Sequence, residues 1–135
     1  MNEGKSWDER HLQRNVRRFV LALNGLIFLL FALYAVVSPH GLAKSLDYQL
    51  PSANALSEFR AIYVGLCGAM GLLFLQAARR IEETGIADAL GVIYVGLGCG
   101  RFFALAVDGV PGSLFIAAGV FELVSGFLIL ALRPR

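Results

Sequence analysis

Between Phe19 and Ser38 the chain carries no charged residue, reading FVLALNGLIFLLFALYAVVS. A helix rises about 1.5 Å per residue, so roughly 20 residues cross a hydrocarbon layer of about 30 Å. Inside that layer every backbone N–H and C=O must be satisfied by the chain itself, which leaves helices and closed barrels. Three further stretches read the same way. Ala61 to Ala78 is short and rich in glycine, Ile86 to Val107 is interrupted by Asp88 and Arg101, and Ser113 to Leu132 holds one acid, Glu122. A barrel strand alternates polar and apolar residues, and none of the four stretches does. Spans are therefore expected at about 19–38, 61–78, 86–107 and 113–132.

The composition agrees. Of 135 residues, 57% are hydrophobic and 16% charged, against roughly 45–50% and about 25% in a soluble domain. This excludes a disordered tail, a disulfide scaffold and an ordinary cytosolic enzyme. The net charge of +2 is too small to argue for nucleic acid. The first apolar run exceeds the usual 7–15 residues of a secretory signal, so it reads as an uncleaved span. The expected fold is all-α: one membrane domain over 1–135, an antiparallel four-helix bundle in the lipid bilayer.

Basic residues set the expected orientation. Lys5, Arg10, Arg14, Arg17 and Arg18 precede the first span, Arg79 and Arg80 join the second to the third, and Arg133 and Arg135 end the chain. The opposite connections hold Lys44, with Arg60 at the edge, and no basic residue between Asp108 and Gly112. By the positive-inside rule both termini are cytoplasmic in a bacterial inner membrane, as an even number of spans requires.

The connections carry their own signals. Ser6-Trp7-Asp8-Glu9 fits a capping box with Ser6 as N-cap. Trp7, Leu12, Val16 and Phe19 share one side of the helix that follows, so residues 1–18 read as a basic interfacial segment facing anionic headgroups, or as a solvated tail that only sets topology. Leu42, Ala43, Leu46 and Leu50 share a face opposite Lys44, Ser45, Asp47 and Gln49, which predicts a short amphipathic helix on the outer surface, ended by Pro51. Asp108-Gly109-Val110-Pro111-Gly112 is a tight outer turn, with glycine for a left-handed cap and Pro111 to start the next helix.

Charges at a helix centre cost about 2.5–3.5 kcal/mol on insertion scales, so those within the spans need a reason. Counting helical rise from the Asp108–Gly112 turn puts Arg101 roughly 10 Å and Glu122 roughly 15 Å below the outer boundary. An arginine side chain reaches across that difference, and an Arg101–Glu122 pair joining spans three and four is expected. Ala118, Gly119, Ser125 and Gly126 make a small, polar stripe beside Glu122; Glu58, Gly65, Ala69 and Gln76 fall near one line in span two. With Gly96 and Gly100 as a GxxxG contact, the helix-packing residues are expected to be Gly65, Ala69, Gly96, Gly100, Gly119 and Gly126. The polar set is Glu58, Arg60, Arg101, Asp108 and Glu122, either internal salt bridges or the lining of an outward-opening cavity.

Other motifs lead nowhere. Gly96-Leu97-Gly98-Cys99-Gly100 follows no strand and lies in a span, which excludes a nucleotide loop. Cys67 and Cys99 occur singly, His11 and His40 fall at opposite membrane faces, and no nucleophile–base pair is visible. No metal, haem or other cofactor is expected. Ile62-Tyr63-Val64-Gly65-Leu66 recurs as Ile93-Tyr94-Val95-Gly96-Leu97, but the match stops there and reads as coincidence within a restricted membrane alphabet.

At Glu58-Phe59-Arg60-Ala61-Ile62-Tyr63-Val64-Gly65, at Gly98-Cys99-Gly100-Arg101, and at Asp108-Gly109-Val110-Pro111 followed by Glu122, the chain resembles the small four-span bacterial membrane proteins grouped as "domain of unknown function 4345". The resemblance runs from about Val20 to Leu132. It implies a four-helix inner-membrane protein and brings no activity, substrate or cofactor. Two functions are expected from the residues: a non-catalytic structural or accessory module, with a homo-oligomer or a larger membrane complex as partner, or a binding or proton-coupled transport protein for a small molecule or lipid headgroup. The first is preferred, because the inner halves of the spans offer chiefly Asn24, Gln76 and Asp88 as a polar path.

Overall fold

The computed structural model describes residues 3–134, with side chains from residue 7 onward. Among these residues there is no strand. The helices are α1 (Glu3–Val37), α2 (Pro39–Ser45), α3 (Ala53–Arg60), α4 (Cys67–Arg79), α5 (Thr84–Asp108) and α6 (Ser113–Ala131), and a π turn over Ala61–Leu66 joins α3 to α4. Four stretches are long and apolar enough to cross a membrane: Trp7–Val37, Ala53–Arg79, Thr84–Asp108 and Ser113–Ala131. The all-α class holds, and the helices of span length number four as expected.

Their limits differ from expectation in two places. α1 is one rod of 35 residues, roughly 50 Å long, so the basic segment is the first half of the same helix as the span. It begins ahead of Ser6, which therefore is not its N-cap; the Ser6 side chain lies outside the described residues, as do Met1, Asn2 and Arg135. The second span begins at Ala53 instead of Ala61, because Ser52 caps α3 by accepting from the Ala55 N–H at 3.2 Å.

The chain divides into two compact units: Met1–Leu21 with Ala77–Arg135, and Ala22–Gln76. In the first, α5 and α6 form an antiparallel hairpin. α5 buries Leu90, Gly91, Tyr94 and Gly98, and α6 buries Gly119, Ser125, Gly126 and Ile129. A β-carbon at Gly126 would stand 2.9 Å from the Gly91 carbonyl oxygen and 3.0 Å from the Val95 nitrogen, so the two backbones touch there. The hairpin turns at Gly109, whose φ of 102° only glycine adopts freely. α6 starts at Ser113 with Gly112 as N-cap, so Pro111 precedes the helix instead of opening it.

In the second unit α1 crosses α4 at another backbone contact. A β-carbon at Gly25 would meet the Gly71 carbonyl oxygen at 3.0 Å, and one at Gly71 would meet that of Gly25 at 3.0 Å. Phe28 and Phe74 stack beside this crossing with centroids 5.7 Å apart. The loop helix exists but is shorter than its apolar face suggested. α2 stops at Ser45, and Asp47 takes a left-handed φ of 60°. Leu42 and Ala43 are buried with Ala35 and Phe59, and Leu46 and Leu50 pack against them from the turn that follows. The apolar face is therefore covered by protein, with Tyr48 edge-on to Phe59 and Tyr63 beside it, and the latter two rings tilted at 33° with centroids 4.4 Å apart.

Candidate functional site

Two arginine–carboxylate clusters lie in the first unit, at opposite ends of the α5–α6 hairpin. Near the Asp108–Gly112 turn, Arg101 of α5 holds Glu122 of α6 in a two-pronged contact. Its Nε donates to Oε2 at 2.7 Å and its Nη2 to Oε1 at 3.0 Å. Gly119 makes this crossing possible: a β-carbon there would press on Arg101 Cδ at 3.3 Å. The Glu122 side chain is 13% exposed and that of Arg101 39%. On its open side Arg101 lines a small cleft of about 180 Å³, with Phe102, Leu105, Pro111, Phe115 and Ile116 among its walls. Glu122 is not part of that lining.

The other polar residues read as one set do not join them. Asp108 is exposed at the end of α5, with no ion pair among the described residues. Glu58 and Arg60 belong to the second unit, both exposed and both without an ion pair among the described residues. The line Glu58, Gly65, Ala69, Gln76 is exposed throughout; α4 buries the opposite face, Cys67, Met70, Gly71 and Phe74. Gly65, Gly96 and Gly100 have nothing within 4 Å of a β-carbon position. The expected Gly96–Gly100 packing contact is therefore absent within the described chain, and the close glycines of the α5–α6 hairpin are Gly91, Gly98, Gly119 and Gly126.

The second cluster was not anticipated. Arg17 of α1 is fully buried; its Nη2 donates to Asp88 Oδ1 at 2.6 Å and its Nε to the Ile129 carbonyl at 2.9 Å. Arg133 approaches the same carboxylate, with Nε 3.1 Å from Oδ2, and donates through Nη2 to Thr84 Oγ1. Arg14 donates to Glu82 at 2.8 Å and to His11 Nδ1 at 3.0 Å. Arg17 thus ties the start of α1 to both α5 and α6. The legible signal was depth: Arg17 and Asp88 each sit at the basic-flank end of a span.

Asp88 and Arg101 are roughly 20 Å apart along α5. A hydrocarbon layer of about 30 Å is thicker than that, so an α5 that crosses such a layer cannot hold both clusters outside it. No group of three or more metal-ligating side chains occurs among the described residues.

A family model described as Domain of unknown function (DUF4345) matches residues 16–133. No curated protein and no solved structure matches the chain.

Proposed function

Because the chain belongs to the family described as Domain of unknown function (DUF4345), which carries no assigned activity, we propose from its geometry a non-catalytic structural or accessory module of the bacterial inner membrane, with both termini cytoplasmic. Its intramembrane charges fix helix order. The observation that carries this reading is the contact between Arg101 and Glu122. Both oxygens of the carboxylate are engaged by one guanidinium, and the carboxylate is turned away from the adjoining cleft. A carboxylate held in this way has both oxygens engaged within the hairpin and presents neither to the cleft. The arginines that flank the spans support the cytoplasmic termini. The open α5 surface at Gly96 and Gly100 supports a homo-oligomer or larger membrane complex as partner.

One observation favours binding instead: Arg101 is partly open to a cleft with apolar walls, suited to a small molecule or headgroup. A double-mutant cycle separates the two. Glu122→Gln is expected to lower stability in detergent by about 1.5–3 kcal/mol, the usual worth of a hydrogen bond to a charged group. Arg101→Met combined with Glu122→Leu is expected to return most of it, since apolar replacement of both partners of a buried pair is often neutral. Loss of a co-purifying species by native mass spectrometry, with stability unchanged in Glu122→Gln, replaces the structural reading with the binding one.

A further inference from the structure

A larger cleft in the first unit lies at the opposite end from Arg101. It encloses about 580 Å³ where the start of α1 meets the end of α6, and Trp7, Arg10, His11, Arg14, Glu82 and Arg133 are among its walls. The geometry points to a binding site for the phosphate headgroup of an anionic phospholipid. Charge is the first ground. Glu82 faces Arg14, and Asp88 alone faces both Arg17 and Arg133. The cleft walls themselves hold the guanidinium groups of Arg10, Arg14 and Arg133 against the one carboxylate of Glu82.

Shape is the second ground. Guanidinium groups present forked N–H donors that match phosphate oxygens, and those of Arg14 and Arg133 reach the cleft from two different helix ends. Around them the walls are amphipathic, with Trp7, Leu132 and Pro134 beside the arginines and Arg10 stacked 4.5 Å over the Trp7 ring. Tryptophan and arginine in that combination belong to the headgroup level of a bilayer. A soluble phosphate gains nothing from the apolar part of those walls, Trp7, Leu132 and Pro134. The site therefore takes a lipid, and it rests on the multi-pass reading but not on the role given to Arg101 and Glu122.

The test uses the full chain purified in a non-ionic detergent. Phosphatidylglycerol, phosphatidylcholine and inorganic phosphate are added separately, and adducts are counted by native mass spectrometry alongside the thermal midpoint. Phosphatidylglycerol is expected to bind and stabilise well above phosphatidylcholine. At about one charge interaction lost per arginine, Arg14→Gln is expected to weaken it about fivefold and Arg14→Gln with Arg133→Gln by tenfold or more. Arg79→Gln, which removes the same charge from an exposed site outside the cleft, is expected to leave it unchanged. Arg14 makes only a part-exposed pair, so the single variant tests the site even where the double variant fails to fold. Equal binding of the two lipids, undiminished binding in Arg14→Gln, or an equal loss in Arg79→Gln overturns the site. Inorganic phosphate that stabilises as well as phosphatidylglycerol overturns the lipid as ligand. Failure to stay in the membrane on carbonate extraction strikes the multi-pass reading instead.

Discussion

Burying a guanidinium costs several kcal/mol unless a counter-charge and hydrogen bonds replace its water. Arg17, with a fully buried side chain, meets that condition through Asp88 and the Ile129 carbonyl. Asp88→Asn keeps the size of the partner but removes its charge. It is expected to lower stability by about 3–5 kcal/mol, the usual cost of leaving one member of a buried pair alone. Arg133→Ala removes the other arginine on the same carboxylate. Because its side chain is 61% exposed, a loss of about 1 kcal/mol or less is expected. Unfolding midpoints in detergent check both, and equal effects would mean that Arg17 does not depend on Asp88. The Arg101–Glu122 contact was legible in the sequence because consecutive helices joined by a tight turn have their relative depths fixed by counting. Arg17 and Asp88 are 71 positions apart, and no short turn sets their register. Read from sequence, Arg17 was one of several flanking arginines, indistinguishable from Arg18, which is exposed.

Helices were legible where hydrophobic length decides them, and less so where contact decides which face turns inward. Gly91, Gly98, Gly119 and Gly126 line the α5–α6 seam, while Gly96 and Gly100 on the same α5 point away from it. A GxxxG spacing places two glycines on one face but does not say what faces them. Two substitutions separate these positions. Gly126→Ala forces a β-carbon against the Gly91 carbonyl and the Val95 nitrogen, both backbone atoms that cannot swing aside. It is expected to lose about 1–3 kcal/mol, the typical cost of overpacking. Gly96→Ala meets open space and improves helix propensity, so it is expected to be neutral or to gain up to about 1 kcal/mol. Stability of each variant against added denaturing detergent reads the difference. The repeated pentapeptide makes the same point about context. Ile62–Leu66 lies in the π turn, whereas Ile93–Leu97 is ordinary α-helix, so the five residues do not dictate the wider turn. In the second unit, the aromatic group of Tyr48, Phe59 and Tyr63 lies beside that π turn.

For the whole chain the distribution of charge matters more than its sum. Arg10, Arg14, Arg17 and Arg18 fall in the first part of the Trp7–Val37 helix, ahead of its charge-free stretch, Arg79 and Arg80 at the end of the second span and just beyond it, and Arg133 after the fourth. The Asp108–Gly112 connection carries one charge, and it is negative. Arginine near span ends resists translocation far more than acidic residues do, so the prediction for topology is specific. With Cys67 and Cys99 replaced by alanine, a single cysteine at Val110, which is 83% exposed, is expected to react with an impermeant maleimide in intact inner-membrane spheroplasts. A single cysteine at Glu83, exposed in the connection between α4 and α5, is expected to react only after the membrane is opened. The reverse labelling pattern inverts the protein, moves the phosphate-binding cleft to the other leaflet and removes the basis for cytoplasmic termini. Labelling of both cysteines in closed spheroplasts denies that α5 crosses at all. The clusters on α5 sharpen this prediction. Asp88 and Arg101 are separated by less than a hydrocarbon thickness, so any crossing of α5 that keeps Val110 in water outside leaves at least one of the two arginine–carboxylate clusters within lipid reach. Its internal pairing there is the alternative to an unpaired charge in hydrocarbon.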